Sequence, residues 1–187
     1  IMASGTTTRV SLASNALLLL GHTEIASFTE NTTGATLASN LYETSYFSVL
    51  TTHRWRFATK KADLARKTKT PKNSYEYMFA LPSDLLYLIN TDTADYEVYG
   101  DSVYTNSATL SIDYICKVKE DSLPPYFIKM FEFFLAAQFA LPITGDIAKT
   151  AAMEKAYFHQ LRLAKFADSS QRPADSFRSN PYVEARY

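Results

Sequence analysis

Apolar positions near the start of the chain recur at helical spacing. Val10, Ala13, Leu17 and Leu20 share one stripe, and Gly21 stands where a left-handed residue would close the helix. After the polar stretch "HTEIASFTENTTG", a second stripe runs through Ala38, Leu41, Tyr42, Ser45 and Val49, with Thr32 or Thr33 placed to cap it. The period then changes. Trp55 and Phe57 alternate with Arg54 and Arg56, as on a strand with one dry face. The charged loop "RKTKTPKNS" follows at 66–74, and "YEYMFALPSDLLYLI" reads as extended chain broken by Pro82. "YEVYGDSVYTN" predicts a hairpin turning at Gly100-Asp101. In "TLSIDYICKV" Leu110, Ile112, Tyr114, Cys116 and Val118 alternate strictly, which predicts a half-buried antiparallel strand.

Helical spacing returns at "DSLPPYFIKMFEFFLAAQFALP", where a proline opens the helix, Pro142 is expected to end it, and apolar residues on almost every side predict a central position. Asp146 is placed to cap a last helix running to about Ala167. Ala148, Ala152 and Ala156 form a small-residue ridge on it, as do Ala136, Ala137 and Ala140 on the helix before. Leu161, Leu163 and Phe166 point in different directions, so this last helix is expected to touch more than one neighbour, other subunits among them.

These elements predict an α+β, mainly α, architecture. About four helices, near 9–20, 33–52, 123–141 and 146–167, carry a small antiparallel sheet whose strands lie between about 54 and 118. Residues 1–167 read as one domain and 168–187 as an extended C-terminal arm. The arm, with two prolines and no apolar run, holds Arg172, Phe177, Arg178, Tyr182, Arg186 and Tyr187, residue types that dominate binding hot spots.

Charge narrows the possible partners. Lys plus Arg equals Asp plus Glu, at 19 each, whereas a protein that grips DNA through its phosphates carries a basic excess. The basic segment 54–69 still leaves a DNA-binding module as an alternative. Thirteen tyrosines favour protein interfaces. Cys116 alone makes no internal disulfide and no thiol metal site, and on its strand it is a packing thiol. Leu17–Leu20 is too short a run for a signal peptide, and the apolar segment 126–141, interrupted by Lys129, Glu132 and Gln138, is short for a membrane span.

No catalytic or cofactor site is legible. His22, His53 and His159 are scattered, the five glycines form no phosphate loop, and no serine sits in a nucleophile elbow. Glu30 with Glu43, or Asp84 with Asp92, could pair as acids, but any chain with 19 carboxylates offers such pairs. A cell-wall hydrolase whose acids converge only in the fold is the weaker alternative.

The order and spacing of several segments carry a further reading. A helix ending "NALLLLG" precedes "LYETSYFSVLTTHRWRFA", "YMFALPSDLLYLI", the hairpin "YEVYGDSVYTNSATLSIDYI", the helix "LPPYFIKMFEFFLAAQFA" and "ITGD". Together they resemble the tail tubular protein A family, the head–tail adaptors of short-tailed phages, over nearly the whole chain. The resemblance implies a non-enzymatic virion protein assembled in the host cytoplasm, with no metal, cofactor or membrane. It implies a ring of twelve copies beneath the portal that receives the nozzle, tail tubular protein B, with tail fibres a further candidate partner. Double-stranded DNA would pass through the lumen without specific binding.

On this reading Trp55, Phe57 and Pro82 anchor the core, while Arg54 and Arg56 point away. The arm residues from Arg172 dock on the portal or an adjacent subunit. Lys67, Lys69, Lys72, Tyr99, Gly100 and Asp101 project toward the nozzle.

Overall fold

The computed structural model describes residues 7–68, 71 and 74–171. Helix α1 spans Arg9–Leu19 and opens with a capping box, in which Thr8 and Ser11 each accept the other's backbone N–H. It closes at Gly21 (φ 75°) in a Schellman motif, with His22 N–H on Leu17 O and Gly21 N–H on Leu18 O. Helix α2, Thr33–Thr51, is capped by the Thr32 hydroxyl on Ala35 N–H.

Six strands follow before the third helix. They are β1 (Thr59–Asp63), β2 (Tyr77–Ala80), β3 (Leu85–Thr91), β4 (Tyr96–Tyr99), β5 (Ser102–Thr105) and β6 (Ser111–Cys116). Helices α3 (Pro125–Thr144) and α4 (Ile147–Ser169) complete the described chain. The architecture is thus mixed helix and strand, with four helices.

The strands form two antiparallel sheets where a single one was expected, ordered β1-β6-β3 and β2-β5-β4. The division falls at Pro82. Leu85 N–H returns to Pro82 O at 3.1 Å, and this turn carries the chain from β2 in one sheet to β3 in the other. Pro82 is therefore a half-buried turn residue and not a core anchor.

Two cores result. Phe79 and Val103 from the second sheet meet Ile112, Tyr114 and Cys116 from the first, filling the space between the sheets. The opposite face of β6 gives Ile115 to the helical core. Strand β6 is consequently covered on both sides toward its end, and the expectation of a half-buried strand held for only one of its faces.

The alternation at 54–57 proves not to be a strand. Trp55 N–H bonds back to His53 O, and Arg56–Ala58 is a single 3-10 turn closed by Ala58 N–H on Trp55 O. Trp55 is nonetheless fully buried, its indole N–H on Val49 O at 3.1 Å, and Phe57 packs half-buried against the same core. Arg54 and Arg56 are exposed as expected. The turn separates the indole from the guanidinium groups as effectively as a pleat would.

Helix α3 lies at the centre. Phe127, Met130, Phe131, Leu135 and Phe139 are fully buried, and their rings pack with Tyr42, Tyr46 and Trp55 in edge-on or stacked pairs. Its 20 residues are long and apolar enough to cross a membrane by length and composition, contrary to the shorter segment expected, but they form the core between the other helices. Buried Glu132 accepts the Asn15 amide at 2.7 Å, which ties α3 to α1. Pro142 does not end the helix. Its missing N–H leaves one carbonyl, that of exposed Gln138, for water to satisfy, and the helix runs on to Gly145 (φ 64°).

Candidate interaction surfaces

Helix α4 begins at Asp146, whose carboxylate accepts the Ala148 and Lys149 N–H groups. It packs on α3 through Met153, Tyr157, Leu161 and Ala164, with Tyr157 edge-on to Phe134 at 5.1 Å. Of the alanine ridge, Ala148 and Ala152 face solvent and Ala156 is half-buried. Beside Ala164, the bulkier Met153, Tyr157 and Leu161 fill the seam.

The outward side of α4 carries large apolar residues among charged ones such as Lys155 and Arg162. Ile147 is 77% exposed, Phe166 73%, Phe158 60% and Leu163 50%. Single exposed apolar residues are ordinary, but four large ones on a single helix make it a candidate interaction surface.

The end of α4 holds a polar joint that sequence reasoning assigned to the arm. Asp168 is 2% exposed and sits inside the body. Its carboxylate accepts Arg56 N–H on both oxygens at 3.2 Å and the Tyr126 hydroxyl at 2.8 Å, with His53 Nε2 at 3.9 Å. The joint fastens the 3-10 turn, the start of α3 and the end of α4 to one another. Burial, then the neighbouring carboxylate, pushes the Tyr126 phenol well above its ordinary value. Burial and Lys165 hold His53 below its own. Only the regular spacing that would carry α4 one residue beyond Ala167 could have pointed to Asp168.

Three of the six described cations of the basic segment are paired with carboxylates within the fold, while Arg54 and Arg56 remain exposed. Lys60 pairs with Asp84 at 2.9 Å, Lys61 with Asp113 at 3.7 Å and Lys67 with Asp101 at 3.1 Å. Arg66 stacks over the Tyr77 ring at 4.1 Å. Asp84 also accepts the Tyr114 hydroxyl, so it is bonded in place and does not pair with Asp92, while Glu30 accepts the Ala26 and Ser27 N–H groups. The structure thus brings Lys67 beside the Gly100-Asp101 turn. Lys69, Lys72 and the arm residues Arg172, Phe177, Arg178, Tyr182, Arg186 and Tyr187 lie outside the described residues.

The β4–β5 hairpin turns at Gly100 (φ 60°). Strand β4 is the free edge of its sheet and all four of its residues are exposed, Tyr99 by 57%. Glu97 holds the Tyr99 phenol above its ordinary value by hydrogen bonding and by its charge. A separate cleft of about 300 Å³ is lined by Arg9, Tyr42, Tyr46, Phe47, Lys117 and Glu120, and an Arg9–Glu120 ion pair at 3.0 Å crosses it. Cys116 is buried, and burial raises its thiol, in keeping with a packing role.

No family profile and no curated protein matches the chain.

Proposed function

We propose that this chain is a structural head–tail adaptor, copies of which close into a ring, twelve in number, between a phage portal and the tail nozzle. The observation that carries this reading is the outward face of α4. Ile147, Phe158, Leu163 and Phe166 are each at least half exposed in the monomer, and a ring subunit needs such a face on each flank. Four helices with antiparallel strands between the second and third support the same reading at the level of fold class, since the resemblance implies a helical bundle carrying a small antiparallel sheet.

DNA would move through the lumen without being held. Zero net charge supports this, as does the engagement of Lys60, Lys61 and Lys67 by carboxylates, which weakens the case for segment 54–69 as a phosphate grip. Lys67 and the Gly100-Asp101 turn would form one nozzle-facing surface, and residues 172–187 the arm that docks on the portal or on a neighbouring copy.

The test is the mass of the purified protein alone and mixed with portal particles. Addition of about one subunit per portal subunit is expected. Absence of any portal complex would end the adaptor reading. Deleting residues 172–187 should weaken portal attachment, and unchanged affinity would remove the arm from the proposal.

A further inference from the structure

The ring reading requires two different faces of one chain to fit each other, and α4 supplies one. Along it, Ile147, Ala151, Lys155, Phe158, Arg162 and Phe166 recur at intervals of three and four residues, and all are exposed. The stripe is apolar and carries two cations, neither in an ion pair among the described residues.

The complementary character lies on the second sheet and the chain leading into it. From Asn73 to Cys116 the chain has seven acidic residues and no Lys, Arg or His. Asp84, Asp101 and Asp113 are matched by the lysines of 60–67. Asp95 and Glu97 are matched by no cation among the described residues, and they lie beside and within β4 next to the exposed Tyr96, Val98 and Tyr99. Antiparallel pairing of Val98 with Val103 puts them on the same side of the sheet, yet Val98 is 43% exposed where Val103 is buried, so both faces of β4 meet solvent. Tyr99 lies edge-on to Tyr104 at 5.8 Å, giving the outer face an aromatic pair beside Glu97.

From this pairing of patches we infer that the β4 edge of one copy receives the α4 stripe of the next, with Glu97 and Asp95 facing Lys155 and Arg162 across an aromatic seam. The inference rests on the ring reading and adds to it which faces meet. The contact is heterologous, because a patch with one sign of charge cannot serve as its own partner. Successive copies therefore add in one direction, as a closed ring requires. Opposite charge fixes the register and speeds encounter, and the apolar side chains supply most of the affinity.

Charge reversal tests the pairing. Arg162→Glu and Glu97→Arg both alter exposed side chains, so the subunit should keep its fold. Each alone should weaken self-association, followed by sedimentation velocity with and without purified portal, by about tenfold or more, and an equal effect is expected from either. The double variant should recover most of that loss. Assembly that ignores both reversals, or a double variant no better than the singles, would overturn this pairing while leaving the ring intact.

A second measurement does not depend on free self-association. Phe166→Cys and Tyr99→Cys proteins are mixed in equal amounts with portal and oxidised glutathione, the buried Cys116 remaining out of reach. Mixed disulfide dimers should exceed either symmetric dimer. An excess of symmetric dimers would refute the heterologous contact, and absence of portal complexes from the unsubstituted protein would refute the adaptor reading itself.

Discussion

Helices α3 and α4 lie against each other along much of their length, yet they spend their side chains differently. Of the 20 residues in α3, nine are buried, distributed around most of its circumference. In the 23 residues of α4 only Ala164 and Asp168 are buried, although Ile147, Phe158, Leu163 and Phe166 are as apolar as anything in α3. The difference separates two uses of the hydrophobic effect. In α3 it has been spent on folding. In α4 a large share is still exposed and available for association.

The sharpest way to break the contrast is at the ring cluster of α3. Phe131 is fully buried, packed edge-on to Tyr42 and Tyr46 and stacked on Phe127. Phe131→Ala should cost about 3–5 kcal/mol, read from the midpoint of urea unfolding at constant slope. A loss below about 1 kcal/mol would mean that the centre of the molecule is not where the aromatic pairs place it.

The next largest effect belongs to the joint that fastens α4. Asp168→Ala leaves Arg56 N–H and the Tyr126 hydroxyl without their acceptor, at a cost of about 1.5–3 kcal/mol. Hydrogen exchange at the end of α4 and in the turn at 56–58 should accelerate together, since one carboxylate holds both. Separate responses would show that the joint does not couple them.

What the sequence disclosed follows from how local each determinant is. The caps at Thr32 and Asp146 and the turns at Gly21 and Gly100 were legible because each is set by a few neighbouring residues. Trp55 was legible as a core residue but not in its backbone. A 3-10 turn that buries one side chain and exposes its two neighbours produces the same alternation as a strand. The partition into two sheets, the second covered face of β6 and the burial of Asp168 were not legible. Each depends on elements far apart in the chain, such as Asp168 meeting Arg56. The exposed α4 face lay between these cases. Its apolar residues pointing in several directions suggested more than one neighbour, but only the packing on α3 shows which of them remain uncovered.

A smaller effect, in pH, comes from the same joint. His53 titrates below its ordinary value because burial and Lys165 disfavour the imidazolium, with Asp168 opposing them. Between that lowered value and about 6.5 the unfolded chain binds more protons than the folded one, so stability rises with pH through this window and is lost on acidification. Other groups contribute to the same profile, so the measurement is a difference. His53→Gln should have a shallower dependence than the unsubstituted protein between about pH 5 and 7. Parallel profiles would take His53 out of the account.

The smallest expected effect on stability is the most informative about the contrast. Phe166 is 73% exposed, so Phe166→Ser removes little that folding has buried and should move the unfolding free energy by no more than about 0.5 kcal/mol. The serine also leaves helix propensity nearly unchanged, in a helix already capped at Asp146 and fastened at Asp168. If α4 exists to be covered by another subunit, the same variant should fail to assemble with portal particles while its unfolding curve overlays that of the unsubstituted protein. The same change in α3, at Phe131, should abolish assembly only by unfolding the subunit. A Phe166→Ser protein that assembles normally would mean that the apolar side chains α4 leaves exposed are not the ones that join the copies.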